Sequence, residues 1–380
     1  MNKKRIVIFT SFLDAVGGME TWTYQFSHRL LERGNDVIVV ALFDRKDFKN
    51  VKFFPFVWDE RIATRCLSLP PLSPISLLDA LKKIYIYKIA KKTEIIIRDI
   101  LAEKDDSIIL LTDPGYSLIL PEYFFKKYKI YAQLHSSAKT FFEHWRNQYF
   151  YLKLVYKKFV KLIVLSDSDV KYLTNKKFDK NKLVSIYNFV ETPKSGVELS
   201  NLKNKVIVSL GRLTPSKNLS GLIEIFSNLS PNHPDWQLKI YGDGEDRANV
   251  QNMITGLSLD SKIILCGNTA DKYKALSEGS IFASTSLYEG FPVTILEARQ
   301  CGLPVITYNC ALSLSEIIKN NYDGFLIDNF DKATYQAKLE LLMDDIKLRI
   351  KIGKCGRKKN EKFRPEKVMD MWNSKIFKEN

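Results

Sequence analysis

Along the chain, short runs of β-branched and other apolar residues alternate with turns and with helix-length amphipathic segments. In the first half these runs are RIVIFTS, DVIVVALF, SIILLT, KIYAQLHS, KLIVLS and LVSIYN; in the second, KVIVSLG, WQLKIYG, KIILCG, SIFASTS, PVITYN and GFLID. Continuous apolar strands separated by helices belong to parallel sheets covered on both faces. The pattern therefore predicts two doubly wound α/β domains. A length of 380 residues agrees, because it exceeds what one hydrophobic core usually fills. The two series meet at ETPKSGVELSNLKN, Glu191 to Asn204, a polar stretch with Pro193, Ser195 and Gly196. Near the end, PEKVMDMWNSKIF spaces Val368, Met371, Trp372 and Ile376 at helical intervals, so this helix needs a surface to dock on.

Composition narrows the class. With 45% hydrophobic and 27% charged residues the chain reads as a soluble globular protein. No apolar run approaches the roughly 20 residues of a membrane span, and MNKKRIVIFT, followed by Ser11 and Asp14, reads as a first strand rather than a signal peptide. Five scattered cysteines form no CxxC pair, which points to a reduced cytoplasmic setting without structural zinc. A net charge of +15 calls for an anionic partner: nucleic acid, an anionic membrane surface or a phosphorylated small molecule. Part of the excess lies in two stretches. Between Ser76 and Ile100 stand Lys82, Lys83, Lys88, Lys91, Lys92 and Arg98; between Lys139 and Lys161, Arg146, Lys153, Lys157 and Lys158 interleave with Trp145, Tyr149, Phe150, Tyr151, Tyr156 and Phe159. Such stretches suit the headgroup region of an anionic bilayer on the inner membrane face, or form solvated basic faces over an aromatic core.

The candidate chemistry gathers where strands end. VSLGRLTPSKN places Gly211 and Arg212 just past a strand and Lys217 near the start of the next helix. Ligands of open α/β sheets collect at the carboxyl ends of strands, where an Arg fork and a Lys point charge form a diphosphate clamp. In loops such residues also occur as plain surface cations. Gly17 and Gly18 follow the first strand and precede a helix; paired glycines permit a left-handed turn and bring N–H groups near a phosphate, or serve only as a turn. They do not form GxGxxG, which weakens a nicotinamide reading. In LYEGFPVTILEARQ, Glu289 lies in a loop and Glu297 more than a turn into a helix that Pro292 opens as its first residue. Gly290, Phe291 and the N–H groups of Val293 and Thr294 then stand at the positive helix end. Burying two acids without partners is costly, so a polar ligand is expected, and a sugar nucleotide fits the spacing.

GRLTPSK, YGDG (Tyr241 to Gly244), EGFPVTILEARQCGLPVI and SEIIKNNYDGFLI together resemble the retaining GT-B glycosyltransferases, in particular family four, whose signature is two glutamates separated by seven residues. The resemblance is continuous from about Val206 to Asp328 and fainter in the first half, through GGME, QLHSS, VLSDSD and SIYNFVE. It implies two Rossmann-like domains facing across a cleft: residues 1–192 binding acceptor, residues 193–363 binding donor, and a last helix, residues 364–380, crossing back to the first domain. It further implies that Arg212 and Lys217 neutralise the donor diphosphate, with Gly211 beside them. Glu289 would hold the transferred sugar and Glu297 the ribose, while Gly290, Phe291, Pro292, Val293 and Thr294 present backbone. Gly17 and Gly18 would close over the phosphates, and His135 would sit near the sugar. One departure concerns NCALSLSEI, with Leu312 and Ser313 where the family commonly has glycine.

Other signals are set aside. Asp167-Ser168-Asp169 resembles a DxD metal motif, but a helix N-cap with acids in the first turn explains it. Gly242 to Asp246 lacks the length of a calcium loop, and no histidines pair at metal spacing. His135, at a strand end, is a site candidate or a structural histidine; Asp113, also ending a strand, is an acceptor candidate. The expected reaction is transfer of a glycosyl group from a nucleoside diphosphate sugar, UDP-sugar foremost, without metal or other cofactor and with retention. The expected acceptor is a polyanionic glycan or lipid-linked hydroxyl of a capsule, teichoic acid or lipopolysaccharide chain. An epimerase on the same fold and a non-catalytic sugar-nucleotide-binding subunit are the alternatives. A nucleic-acid partner is disfavoured, since carboxylates in the cleft repel phosphate and no zinc-finger or RNA-recognition signature appears.

Overall fold

The computed structural model describes residues 3–13, 17–44, 56–69, 94–95, 97–99, 107–192, 196 and 198–378. Lys82, Lys83, Lys88, Lys91 and Lys92 of the first basic stretch, and Asp14, Pro193 and Ser195, lie outside the described residues. The chain divides into two compact units, Met1–Ile186 and Tyr187–Asn380. That division falls slightly upstream of the boundary expected from the sequence, and the second span includes the last helix.

The first unit is built on a parallel sheet: β1 (Arg5–Thr10), β2 (Asp36–Ala41), β3 (Ala63–Cys66), β4 (Ile108–Leu111), β5 (Lys129–Gln133), β6 (Leu162–Val164) and β7 (Leu183–Ser185). Their order is β3-β2-β1-β4-β5-β6-β7. Val7 of β1 is in register with Ile38 on one side and Ile109 on the other, so apolar residues form rows across the sheet. The helix Gly18–Glu32 covers one face with Trp22, Phe26 and Leu30, which share one side at four-residue spacing. Each fully buried side chain of this kind contributes roughly 1.5–3 kcal/mol relative to exposure. β3, with the sequence ATRC, has no apolar run; it is a half-exposed edge strand, which is why hydrophobic pattern does not reveal it.

The second unit repeats the plan with β8 (Val206–Leu210), β9 (Gln237–Tyr241), β10 (Ile263–Gly267), β11 (Ile281–Ser284), β12 (Val305–Tyr308) and β13 (Phe325–Ile327), ordered β10-β9-β8-β11-β12-β13. Ile207, Leu238, Ile281, Ile306 and Phe325 meet Phe226 and Leu339 from the covering helices in its core. In both sheets the chain reverses its direction of travel once, between β1 and β4 and between β8 and β11. Loops after those strands diverge and leave space for a ligand.

Asp169 shows how one of these loop regions is fixed. Ser166 caps the helix Asp167–Asn175 by accepting the Asp169 N–H at 3.0 Å, as an N-cap reading requires. The fully buried Asp169 carboxylate accepts from Ser166, from the Ala138 N–H at 2.8 Å and from the Ser137 hydroxyl at 3.3 Å. Asp167 accepts from Ser185. Both acids are thus engaged inside the first unit. Replacing Asp169 by Ala strands the Ala138 N–H in the core and is expected to cost roughly 2–3 kcal/mol. Urea unfolding checks this through a lower midpoint at unchanged slope; an unchanged midpoint contradicts it.

Candidate functional site

The loops that follow β8 and β11 are stitched together. Asn218 adopts the left-handed region (φ 49°, ψ 46°), which turns the chain sharply between Lys217 and the helix Leu219–Leu229. Its carbonyl accepts from the Thr285 hydroxyl at 2.8 Å, and its side-chain amide donates to the Thr285 carbonyl at 3.2 Å. One residue pair further out, the Leu287 N–H donates to the Ser216 carbonyl at 2.8 Å. On the other side, residues 211–213 pack backbone against backbone with residues 242–244: Leu213 donates to the Asp243 carbonyl at 3.1 Å. Only glycine fits there. A Cβ on Gly242 (φ +132°) would lie 1.8 Å from the Gly211 carbonyl oxygen, and one on Gly244 2.1 Å from that of Leu213.

This stitching puts charge in one place. Ser209, Gly211, Arg212, Lys217, Ser284, Ser286, Glu289 and Thr294 line a shallow, open depression. Lys217 Nζ donates to Glu289 Oε1 at 2.5 Å, with both side chains half-buried. A partly exposed pair of this kind adds little net stability and is readily exchanged for another partner. Cys310 stands in the field of Glu289, and burial, reinforced by that charge, pushes its thiol far above the usual range.

Glu289 precedes the helix Val293–Gln300, whose first N–H groups have no acceptor within the helix. Pro292 is the N-cap of this helix (φ −75°, ψ 87°) and not its first helical residue, because its ψ turns the chain before the helical bonds begin. The preceding loop is held from two sides. The buried Ser313 hydroxyl donates to the Gly290 carbonyl at 2.9 Å, so the departure at this position makes a bond that glycine could not. Phe291 packs edgewise on Phe363 (5.6 Å) and lies 6.0 Å from Tyr187, whose hydroxyl donates to Glu316 at 3.0 Å. Glu297, almost fully buried, is paired with Lys272. Beside it, buried Arg299 donates to the Ile317 carbonyl and faces Asp323 at 3.5 Å, tying the helix down; burial draws its pKa to about 10.

In the first unit the candidates occupy strand ends. Gly17 is the N-cap of the helix Gly18–Glu32 in extended backbone (φ −165°, ψ 161°), and a Cβ on Gly18 would meet nothing within 4 Å. The pair therefore makes no left-handed turn, contrary to expectation. Asp113 follows β4 and caps the next turn by accepting the Gly115 N–H at 2.6 Å; burial raises its pKa. His135 follows β5, packs edgewise on Trp22 at 4.7 Å and leaves Nε2 buried without a hydrogen-bond partner. Burial lowers its pKa to about 3, so its ring is neutral at physiological pH.

Of the residues expected from the sequence, Gly211, Arg212, Lys217, Glu289 and Thr294 share one depression, Gly290, Phe291 and Pro292 lie in the loop before the helix, and Val293 opens that helix. Sequence reasoning missed Asn218, Thr285 and Lys272. Only the STS run after β11 gave a hint, since Lys272 is one lysine among many in a basic chain.

Known proteins bear the same plan. The chain matches the glycosyl transferases group 1 family over residues 191–359 and Glycosyltransferase Family 4 over residues 16–194. An uncharacterised glycosyltransferase of Haemophilus influenzae is 26% identical over 379 residues, which is 97% of this chain and 99% of that protein. A poly(ribitol-phosphate) α-N-acetylglucosaminyltransferase of Staphylococcus aureus is 26% identical over 212 residues, 56% of this chain and 42% of its own length. The crystal structure of a point mutant of S. aureus TarM with fondaparinux, α-GlcNAc-glycerol and UDP superposes with a TM-score of 0.76 at 17% identity, covering 98% of this chain and 99% of that one. Two parallel sheets flanked by helices, and family matches that together run from residue 16 to residue 359, assign the chain to the family 4, group 1 glycosyltransferases with the GT-B fold.

Proposed function

We propose that the protein transfers a sugar from a nucleoside diphosphate sugar, UDP-sugar foremost, to a hydroxyl of a polyanionic glycan, polymer or lipid-linked acceptor, with retention at the anomeric carbon. The observation that carries this reading is the depression in which Arg212, Lys217, Glu289 and the start of the helix Val293–Gln300 converge. UDP in the TarM structure supports the donor class. The poly(ribitol-phosphate) transferase, together with a net charge of +15 here, supports an anionic acceptor used in building cell-surface polysaccharide. In this reading residues 1–192 with the last helix bind acceptor, and residues 193–363 bind donor.

In the proposed reaction the bond between the anomeric carbon and the diphosphate oxygen breaks as the acceptor oxygen bonds to the same face. The acceptor proton passes to the departing phosphate oxygen. Arg212, Lys217 and the N–H groups of Val293 and Thr294 take up the developing charge, in place of a metal ion, each worth about 3 kcal/mol by comparison with other oxyanion donors. The Lys217–Glu289 pair holds both groups ready: the diphosphate replaces Glu289 as partner of Lys217, and the released carboxylate accepts from sugar hydroxyls. Glu297, exchanging Lys272 in the same way, accepts from the ribose. Gly17 and Gly18 present backbone to the phosphates, Asp113 serves the acceptor, and neutral His135 offers Nε2 as a hydrogen-bonding group near the sugar.

A panel of UDP, GDP, ADP and CMP sugars in a thermal-unfolding assay identifies the base, since a ligand at a hundred times its Kd stabilises by about 2.7 kcal/mol. Lys217→Ala is expected to lower turnover roughly 100- to 1,000-fold with an unchanged circular dichroism spectrum; turnover near wild type removes the clamp assignment. Ser313→Ala frees the Gly290 carbonyl and is expected to raise the donor KM about fivefold, the equivalent of one hydrogen bond of about 1 kcal/mol. A loss confined to thermal stability would make Ser313 a packing residue only.

A further inference from the structure

The carboxyl ends of β1, β4 and β5 lie side by side in the first unit, and the groups gathered there need hydrogen-bond donors more than they offer them. Asp113, just past β4, keeps part of its surface open. Glu20, in the first turn of the helix Gly18–Glu32, is almost fully buried, and its charge, like that of Asp113, reaches the Tyr116 phenol. Burial first, then the Asp113 charge, push the pKa of that phenol above its ordinary range, so it stays protonated. Its hydroxyl shares one hydrogen bond of 2.5 Å with Ser11, which leaves the pair one hydrogen to give. At the same strand ends the Thr10 hydroxyl, the Gln133 carbonyl oxygen and His135 Nε2 are buried without a hydrogen-bond partner. Buried polar groups of native proteins rarely go unpaired, so these await a ligand or water. Positive charge is missing here. Among the described residues, the loops after β1, β4 and β5, 11–13, 112–115 and 134–137, hold no lysine or arginine, in a chain of net charge +15. The depression of the second unit, with Arg212 and Lys217, is the opposite.

We propose that this end of the first unit takes a hydroxyl-bearing, phosphate-free part of the acceptor, a sugar ring or a polyol, and that the charged groups of the acceptor stay outside it. The inference rests on the reading of residues 1–192 as the acceptor-binding part and narrows it. A fully ionised phosphate group offers acceptors only. Here it would meet the oxygens of Asp113, Glu20 and Gln133 with no described cation beside them, and the burial that raises the Asp113 pKa penalises a further anion in the same way. A polyol supplies what is lacking. Its hydroxyls donate to Asp113 and Gln133 and accept the hydrogen left over at Ser11 and Tyr116. An acceptor that is polyanionic as a whole meets this condition when a bare sugar or polyol unit carries the accepting hydroxyl.

Saturation-transfer NMR on the full chain, with UDP added to fill the donor depression, tests it on matched pairs: methyl α-glucoside, ribitol and glycerol, each against its terminal phosphate ester. Transfer to at least one neutral compound, and about tenfold less to its ester, is the expected result. Tyr116→Phe and Gln133→Leu are each expected to weaken binding of the neutral compound about fivefold, with unchanged thermal unfolding. Asp113→Asn keeps an acceptor for the Gly115 N–H and is expected to bring the two members of a pair within about threefold of each other. Thermal stabilisation by UDP in the same samples reports on the donor reading by itself, so a failure there is told apart from a failure here. Three results overturn the proposal: phosphate esters that bind as well as their neutral partners, no transfer to any neutral compound, or a preference that all three substitutions leave unchanged.

Discussion

The adjacency of β8 and β11 is the constraint on which the depression of the second unit depends. These strands are neighbours in the sheet yet far apart in sequence, and between them the chain changes its direction of travel across the sheet. Their following loops must share one opening, and the bonds among Ser216, Asn218, Thr285 and Leu287 make that shared opening rigid. Everything chemical in the second unit follows from it. Lys217 is on one loop, Glu289 on the other, and they meet only because the loops do.

Much of this was legible in the sequence, for a physical reason. Parallel strands buried on both faces read as unbroken apolar runs, so twelve runs correspond to β1, β2 and β4 to β13. β3 escaped because an edge strand with ATRC buries too little to show a pattern. Candidate residues with strong chemistry at loop positions, such as Arg212, Lys217 and Glu289, stood out because loops just past parallel strands open at the end of the sheet where ligands collect. The stitching residues were not. Asn218 and Thr285 are ordinary polar residues whose bonds depend on which strands lie side by side, and a linear pattern does not encode that neighbour relation. Gly17 and Gly18 misled in the opposite direction: their composition suggests a left-handed turn, but the chain is extended at one and helical at the other.

Two charged clusters of the second unit are treated differently. Arg299 and Asp323 lie among carbonyls and one another, with Lys359 at 3.3 Å from Asp323, and their task is to hold elements together. Lys217 and Glu289 are half-exposed and face an opening, so a bound anion competes for the same lysine at modest cost. Removing either partner of the first group strands a charge in the interior, whereas water reaches the charge left by breaking the second. The distinction between scaffold and candidate site in this protein is therefore one of solvent access more than of residue type.

The Asp169 carboxylate accepts the Ala138 N–H from the preceding strand-helix unit. The segment carrying His135 consequently takes its shape from two successive units at once, and neither can set it alone. During synthesis that corner has to wait until the helix beginning at Asp167 has emerged and docked, which makes it a late element of the nascent chain's folding. By the same logic it opens when that helix frays, so a breathing motion that starts at Asp167 reaches the segment carrying the ring of His135.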